Sequence, residues 1–420
     1  MNAPQEQQVW RDYLPTVRWF QGKGLPIDEL TIEPLAWYTA EADVWVRSEL
    51  ALVKQGDDTQ TYHLLVGYVP AGQGEPDAVV GRTTLPGRGP VDMIDAPRSP
   101  QAMRALLGAI GRPGVPGVSW LERPPSPDSA AEAFRGEQTN TTVRIGDEAL
   151  LKVFRRLIPG PNLESAMLSA LRSSGITPRL IGTLSTPDGV FDLGLFSQLI
   201  PQARDGWGFC VRACRTGRSV ESEMRDLGVT LRRLHAALAA AFGTQVIDAA
   251  ELSAQMIGRL DAACRQLPEL KARRPALRGI LGLPSQPIEI QRVHGDFHLG
   301  QALVSPTGWA IIDFEGEPLK TPAERAAPDS VWRDVAGLLR SLDYARHSHA
   351  EPDGDKAQRW YDSAKNAFLD GYLQGAPLPQ RLLTAYDVDK SIYELVYETR
   401  NRPGWADIPR RAIEQAIADV

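Results

Sequence analysis

A chain of 420 residues has room for two or three domains, each with its own core. Apolar residues make up 43% and charged residues 23%, as in ordinary globular proteins, and the net charge of −6 comes without a basic cluster, which excludes the electrostatic footprint of a nucleic-acid binder. No apolar run approaches the ~20 residues of a membrane span, no signal-peptide pattern opens the chain, and three cysteines without a second pair suit a reducing compartment, so a cytoplasmic protein is expected.

Residues 9–24 predict a short helix, anchored by Trp10, Leu14 and Trp19 and ending at Gly22 or Gly24. Strand-like runs follow at 31–37, 44–53 and 61–68, separated by turns such as Gly56-Asp57-Asp58. A helix over 101–110 completes an N-terminal α+β module, residues 1–111. The Pro- and Gly-rich stretch 112–133 reads as a linker. A second unit then opens with a strand at 143–145, a turn at Gly146-Asp147 and a returning strand at 149–154 that carries Lys152. Glu164 starts the next helix, with Leu168 and Leu171 as its buried stripe, and 190–200 has the composition of a strand. From 219 to 242 Leu227, Leu231, Leu234 and Leu238 recur at helical spacing, with His235 beside them as a buried, hydrogen-bonded histidine; 249–267 is a second amphipathic helix. Cys210 and Cys214, one helical turn apart, have no further pair to complete a zinc site, and Cys264 stands alone.

Two apolar runs, 288–293 and 309–312, read as strands flanking a tight polar loop and the Pro306-Thr307-Gly308 turn. Such a hairpin would gather Asp296, His298, Gln301 and Asp313. Metal-assisted phosphoryl transfer needs these types: a carboxylate to orient and deprotonate the attacking hydroxyl, and oxygen ligands for Mg²⁺. His294 is expected to brace the loop, and His298 to brace it or to reach a substrate. Trp332 begins a long helix in which Arg333 and Asp334 either pair structurally or take part in chemistry, and Arg340 is solvated or ion-paired. Near the end, Asp389, Tyr393 and Tyr397 share one helix face, and Lys390, Glu394 and Glu398 the neighbouring one.

The segment His294-Gly-Asp-Phe-His-Leu-Gly-Gln301 resembles the catalytic loop of the aminoglycoside phosphotransferase-like kinases, with Gln301 where many members have Asn. Asp313-Phe-Glu315 looks like their metal-binding segment. The wording Glu315-Gly-Glu-Pro318, the run from Trp332 to Tyr344, and the signature from Lys390 to Trp405 are similar to one branch, the maltokinases and actinobacterial glucosamine kinases. The likeness runs from about Trp10 to the end, and Leu14-Pro15, Arg18-Trp19-Phe20 and Gly22-Lys23-Gly24 resemble the maltokinase N-terminal cap.

This resemblance implies a two-lobed, protein-kinase-like α+β fold with an N-terminal α+β cap: cap 1–111, linker 112–133, β-rich N-lobe and hinge 134–201, helical C-lobe 202–420. Asp296 is the implied catalytic base. Lys152, its partner Glu164, the loop residues Gln138, Thr139 and Asn140, and the hinge residues Gln198 and Ile200 are the implied ATP-binding set. In the related maltokinases an acidic residue is expected nearer position 166, so the partner of Lys152 stays open. Gln301, Asp313 and Glu315 are the expected Mg²⁺ ligands; His298, Asp389, Lys390, Tyr393, Glu398 and Trp405 are the expected sugar contacts. The expected reaction moves the γ-phosphoryl group of ATP to a small sugar in a monomeric enzyme. Maltose, giving maltose 1-phosphate, is the first expectation, and glucosamine, giving glucosamine 6-phosphate, the alternative.

Overall fold

The computed structural model describes residues 3–39, 43–134, 139–317 and 320–419. Two compact units emerge: Met1–Ser169 with Pro178–Pro201, and Ala170–Thr177 with Gln202–Val420.

In the first unit, helix α1 (Ala3–Tyr13) stops where Pro15 enters, because proline at the next turn clashes with a continuing helix; a single 3-10 turn, Leu14–Thr16, follows. The expected helix therefore ends well before Gly22. Five strands come next: β1 (Glu29–Thr39), β2 (Trp45–Gln55), β3 (Asp58–Pro70), β4 (Val79–Leu85) and β5 (Gly89–Asp95). They pair antiparallel in the order β1-β2-β3-β5-β4. The inward side of this sheet and α1 bury Trp10, Leu14, Trp19, Phe20, Tyr62 and Tyr68 in one core. Helix α2 (Pro100–Ile110) starts at Ser99, whose hydroxyl accepts from the Ala102 N–H, and has Pro100 at its first position, where a missing N–H does no harm.

A second sheet in the same unit has the order β6-β11-β12-β9-β8-β7. Its strands are β6 (Val118–Trp120), β7 (Ala131–Ala133), β8 (Thr141–Ile145), β9 (Ala149–Val153), β11 (Leu180–Ser185) and β12 (Asp192–Gln198). Within 112–133, then, two three-residue strands form the sheet's outer edges. The short β10 (Arg156–Leu157) continues from β9 and pairs with β3, and the helix α3 (Leu163–Leu171) follows it. Buried groups tie the two sheets: the His63 Nδ1 lies 3.2 Å from the Phe154 carbonyl and 3.1 Å from that of Leu193, and Arg155 donates to Asp95 at 2.8 Å.

The second unit is mainly helical. The short β13 (Arg204–Asp205) leads into α4 (Gly206–Thr216), capped by Asp205 accepting from Trp207 and Gly208 and ended by Gly217 in the left-handed region. Helix α5 (Glu221–Phe242) buries the predicted leucine stripe completely. Then come β14 (Thr244–Asp248), α6 (Ala249–Gln266) and α7 (Glu269–Leu281), followed by β15 (Pro287–Gln291), β16 (Ala302–Ser305) and β17 (Gly308–Ile311). After them stand α8 (Pro322–Ala326), α9 (Trp332–Arg346), α10 (Asp355–Leu373), α11 (Gln380–Asn401) and α12 (Asp407–Ala418). Cys210, Cys214 and Cys264 are buried free thiols.

One detail differs from the sequence reading. The runs at 288–293 and 309–312 do not flank a common hairpin: β15 pairs with β14, whereas β17 pairs with β16. The Ala-Leu-Val-Ser run of β16 is too short to show alternation, yet it supplies the partner, and Pro306-Thr307 makes the turn.

Candidate active site

The polar loop 292–301 is clamped from below by one buried carboxylate. Asp334, in the first turn of α9, accepts the backbone N–H of His294 at 2.8 Å through Oδ2 and that of Gly295 at 2.9 Å through Oδ1. His235 Nε2 lies 3.0 Å from the same carboxylate, and its Nδ1 is 2.8 Å from the Tyr372 hydroxyl. Burial alone would raise the Asp334 pKa, but the His235 hydrogen bond and charge, the nearby His294 and the Gly295 N–H hold it below the usual range. Asp334 thus has a defined place in the structure, and its partner is His235 rather than Arg333.

His294 ties the loop to the strand end beyond it. Its Nε2 is 2.9 Å from the Ile312 carbonyl and its Nδ1 accepts the Asp296 N–H at 3.4 Å, which assigns the proton to Nε2. Ile312 N–H donates to the Gln301 carbonyl at 3.0 Å, extending the β16–β17 ladder to the next residue, Asp313. Asp313 has φ of +65°, a conformation that aspartate tolerates better than most side chains. The Gln301 amide nitrogen donates to Asp313 Oδ2 at 3.0 Å, so the amide oxygen and a carboxylate are adjacent. These are hard oxygen donors of the kind Mg²⁺ prefers. Glu315 lies half-buried in the turn just after them.

Asp296 is half-buried, and its Oδ1 accepts from Lys390 Nζ at 3.0 Å. Burial pushes the Lys390 pKa down, but Asp296 and Glu317 more than reverse this, leaving the ammonium charged. His298 Nδ1 accepts the Gly300 N–H at 3.0 Å, so Nε2 carries its proton, and burial keeps the ring below the ordinary histidine range and hence neutral near pH 7.

The other expected sugar contacts divide into two groups on α11 and just beyond it. Lys390 Nζ sits 4.8 Å from the centre of the Tyr393 ring, which stacks on Tyr397. Trp405, 36% exposed, stacks on Tyr344 with 5.8 Å between centroids and lies 6.4 Å from Trp207. Glu398 is buried, accepts from Arg402 at 2.8 Å, and has a second carboxylate oxygen with no hydrogen-bond partner among the described residues. Burial, outweighing Arg402, raises its pKa. Asp389 is placed differently: Arg259 grips both its oxygens at 2.8 Å, and Arg333 lies 3.6 Å away. Two guanidiniums therefore occupy a carboxylate expected to meet the sugar. Arg340 is ion-paired and buried, 3.0 Å from Glu394 and 3.1 Å from Asp343.

Within the first unit, Lys152 on β9 donates to Glu164 Oε2 at 2.6 Å. Glu164 stands in the first turn of α3 because Asn162 caps that helix, its Oδ1 accepting the Glu164 N–H at 2.8 Å and that of Ser165 at 3.3 Å. Asn140 Oδ1 accepts the Arg155 N–H at 3.0 Å, and Thr139 precedes it in a bend. Gln138 lies outside the described residues. At the end of β12, Gln198 N–H donates to the Arg179 carbonyl at 2.9 Å and Leu199 N–H to that of Glu148 at 3.0 Å, with Ile200 next in the chain.

Sequence reasoning had not singled out Glu317 or Arg259. Glu317 is 2% exposed and accepts from Lys390 Nζ at 2.6 Å. Its signal in the sequence was its place in the Glu315-Gly-Glu-Pro318 wording, which was not tied to a role.

The chain matches the phosphotransferase enzyme family over residues 130–382 and the maltokinase N-terminal cap domain over 13–98. A glucosamine kinase of Streptacidiphilus jiangxiensis is 31% identical over 345 residues, spanning 70% of this chain and 78% of that protein. One from Mycolicibacterium smegmatis is 27% identical over 337 residues, spanning 68% and 80%. A solved structure described as glucosamine kinase in complex with glucosamine, ADP and inorganic phosphate has a TM-score of 0.67 at 23% identity, covering 97% of this chain and 98% of its own. Another crystal form reaches 0.70 at 22% identity. With the family's pattern extending over more than half of its length, and a relative of 31% identity beside it, the chain belongs to the phosphotransferase enzyme family.

Proposed function

We propose that this phosphotransferase is an ATP-dependent glucosamine kinase that moves the γ-phosphoryl group to the primary hydroxyl, giving glucosamine 6-phosphate. The observation that carries the sugar's identity is the 31% relative over most of both chains. Maltose has a specific argument in its favour, the match of 13–98 to a maltokinase cap. That cap discriminates little, since solved glucosamine kinases align with 97% of this chain and therefore with the cap as well.

The proposed chemistry uses the chain's own groups. Asp296 accepts the proton of the sugar hydroxyl as that oxygen bonds to the γ-phosphorus, while the bond from phosphorus to the bridging oxygen breaks and ADP leaves. Lys152, steadied by Glu164, places a positive charge on the nucleotide phosphates. Thr139 and Asn140 with Gln138 belong to the phosphate loop, and Gln198 and Ile200 to the adenine edge. Gln301 and Asp313 have the donor chemistry to hold a divalent ion, with Glu315 beside them; magnesium bound there would supply charge against the phosphate oxygens. His298 Nε2–H is available to donate to a sugar hydroxyl. Lys390, Tyr393, Glu398 and Trp405 are the proposed sugar contacts, with Trp405 as an apolar platform and Glu398 as an acidic partner for an ammonium. Asp389, gripped by Arg259, stands beside Lys390 on the same helix.

A coupled ADP-release assay on glucosamine, maltose and glucose, with the product's phosphate position read by NMR, tests this. Turnover on glucosamine with the phosphate at carbon 6 is expected. Turnover on maltose with none on glucosamine would overturn the sugar assignment.

A further inference from the structure

Glu317 has three cations around one buried carboxylate. Its Oε1 takes Lys390 at 2.6 Å, and its Oε2 takes Lys320 at 2.9 Å with Arg333 at 3.8 Å. The same Lys390 Nζ reaches Asp296 Oδ1 at 3.0 Å. One ammonium therefore bridges a buried acid and the half-buried acid that the proposed mechanism uses. Asp296 Oδ2 makes no hydrogen bond to the described residues, which leaves it open to an acceptor hydroxyl.

A lysine with one carboxylate partner is a mobile point charge on a flexible stem. Left alone with Asp296 it would close over both oxygens and compete with the hydroxyl for the base. Held by a second, immobile carboxylate it stays on Oδ1. Glu317 is itself immobilised through Oε2, and Arg333 is anchored in turn by Asp329 and lies near Asp389. We propose that Glu317 is a positioning residue, which fixes the Lys390 ammonium against one oxygen of Asp296 and so keeps the other free for the sugar hydroxyl. This rests on the reading of Asp296 as the base, but it does not depend on which sugar is the acceptor.

The test uses the full-length enzyme and whichever sugar the wild type phosphorylates, so the absence of turnover on one sugar bears on the function assignment alone. E317Q keeps the side chain's volume and an acceptor oxygen but gives up the charge that holds Lys390. E317D keeps the charge but draws it back by one methylene. Both are expected to lower kcat by about 10- to 100-fold with KM for ATP unchanged, because an interaction serving the transition state is lost. In a K390M background, E317Q is expected to lower kcat no further, since its only route to Asp296 is gone. A merely structural or charge-balancing carboxylate gives another pattern: E317D at wild-type kcat, or E317Q equally harmful with and without Lys390. Either result overturns the proposal. Should E317Q not fold, E317D alone decides, because loss of kcat supports positioning and retention refutes it.

Discussion

Asp296 offers one oxygen to Lys390 and makes no hydrogen bond through the other to the described residues, a division that suits the base proposed for an alcohol. Asp296→Asn keeps the shape and the lysine contact but can no longer take a proton. Turnover should fall by about 10³-fold while ATP affinity, read by calorimetry, stays within about twofold. Unchanged turnover would remove Asp296 from the mechanism. Lys152 and Glu164 make the complementary case for the nucleotide. Their 2.6 Å pair is largely buried, so truncating the glutamate takes from the ammonium a buried charge partner. Glu164→Ala should raise KM for ATP by about 10-fold or more and leave KM for the sugar nearly unchanged; a change confined to the sugar KM would reassign Glu164.

Helix α9 shows how an element, rather than a residue, sets the site. It buries Arg333, Asp334, Arg340 and Asp343 along with its leucines, and it lies close beneath the loop that carries Asp296. At Gly337 a methyl group would come within 2.4 Å of the Phe297 carbonyl. Gly337→Ala must therefore push the loop outward or shift the helix, although alanine itself favours helix. The expected result is a fall in kcat of about 100-fold with KM for ATP intact, measured alongside a thermal melt. Wild-type kcat in this variant would show that the loop can give way freely. The same helix marks where sequence reading ran out. Its leucine periodicity was plain, and so was the loop motif from His294 to Gln301. The buried charges were legible only in part: Arg333 and Arg340 each have a carboxylate within about one turn, Asp329 and Asp343, but Glu394 on α11 and His235 on α5 stand about 50 to 100 residues from Arg340 and Asp334, and no local rule pairs them. Asp389 is a similar case: the resemblance puts it among the expected sugar contacts, and no local pattern shows that Arg259 from α6 closes on it. The strand at 302–305 escaped notice because four residues are too few for a period to show, and β15 was given the wrong partner as a result.

At the scale of the whole chain, stability should depend on pH through a buried charge cluster in the first unit. Arg47 on β2 donates to Glu49 at 2.6 Å and to Glu6 of α1 at 3.1 Å, and the Tyr68 hydroxyl faces both carboxylates. Two acids thus share one guanidinium in a fully buried place, and one oxygen of Glu49 has no partner among the described residues. Burial, only partly offset by Arg47 and reinforced by Glu6, pushes the Glu49 pKa up from 4.5 to about 7. Since the folded value lies above the unfolded one, the folded chain holds a proton that the unfolded chain gives up between pH 4.5 and 7. The stabilisation is full below pH 4.5 and is lost as pH rises through 7. His63 works the other way: burial, with Arg155 nearby, lowers its pKa to about 3, so its contribution is present above pH 6.5 and is lost as pH falls towards 3. A single wild-type profile would mix the two, whereas the difference between wild type and Glu49→Gln isolates the carboxyl group. The glutamine is neutral at every pH and can still accept from Arg47. Relative to wild type, Glu49→Gln should gain on the order of 2 kcal/mol between pH 5 and pH 8. The readout is the thermal melt followed by tryptophan fluorescence, to which the buried Trp10 and Trp19 of the first sheet's core contribute. A stability difference that stays constant from pH 5 to pH 8 would mean that Glu49 is ionised throughout and that Arg47 satisfies both acids at once.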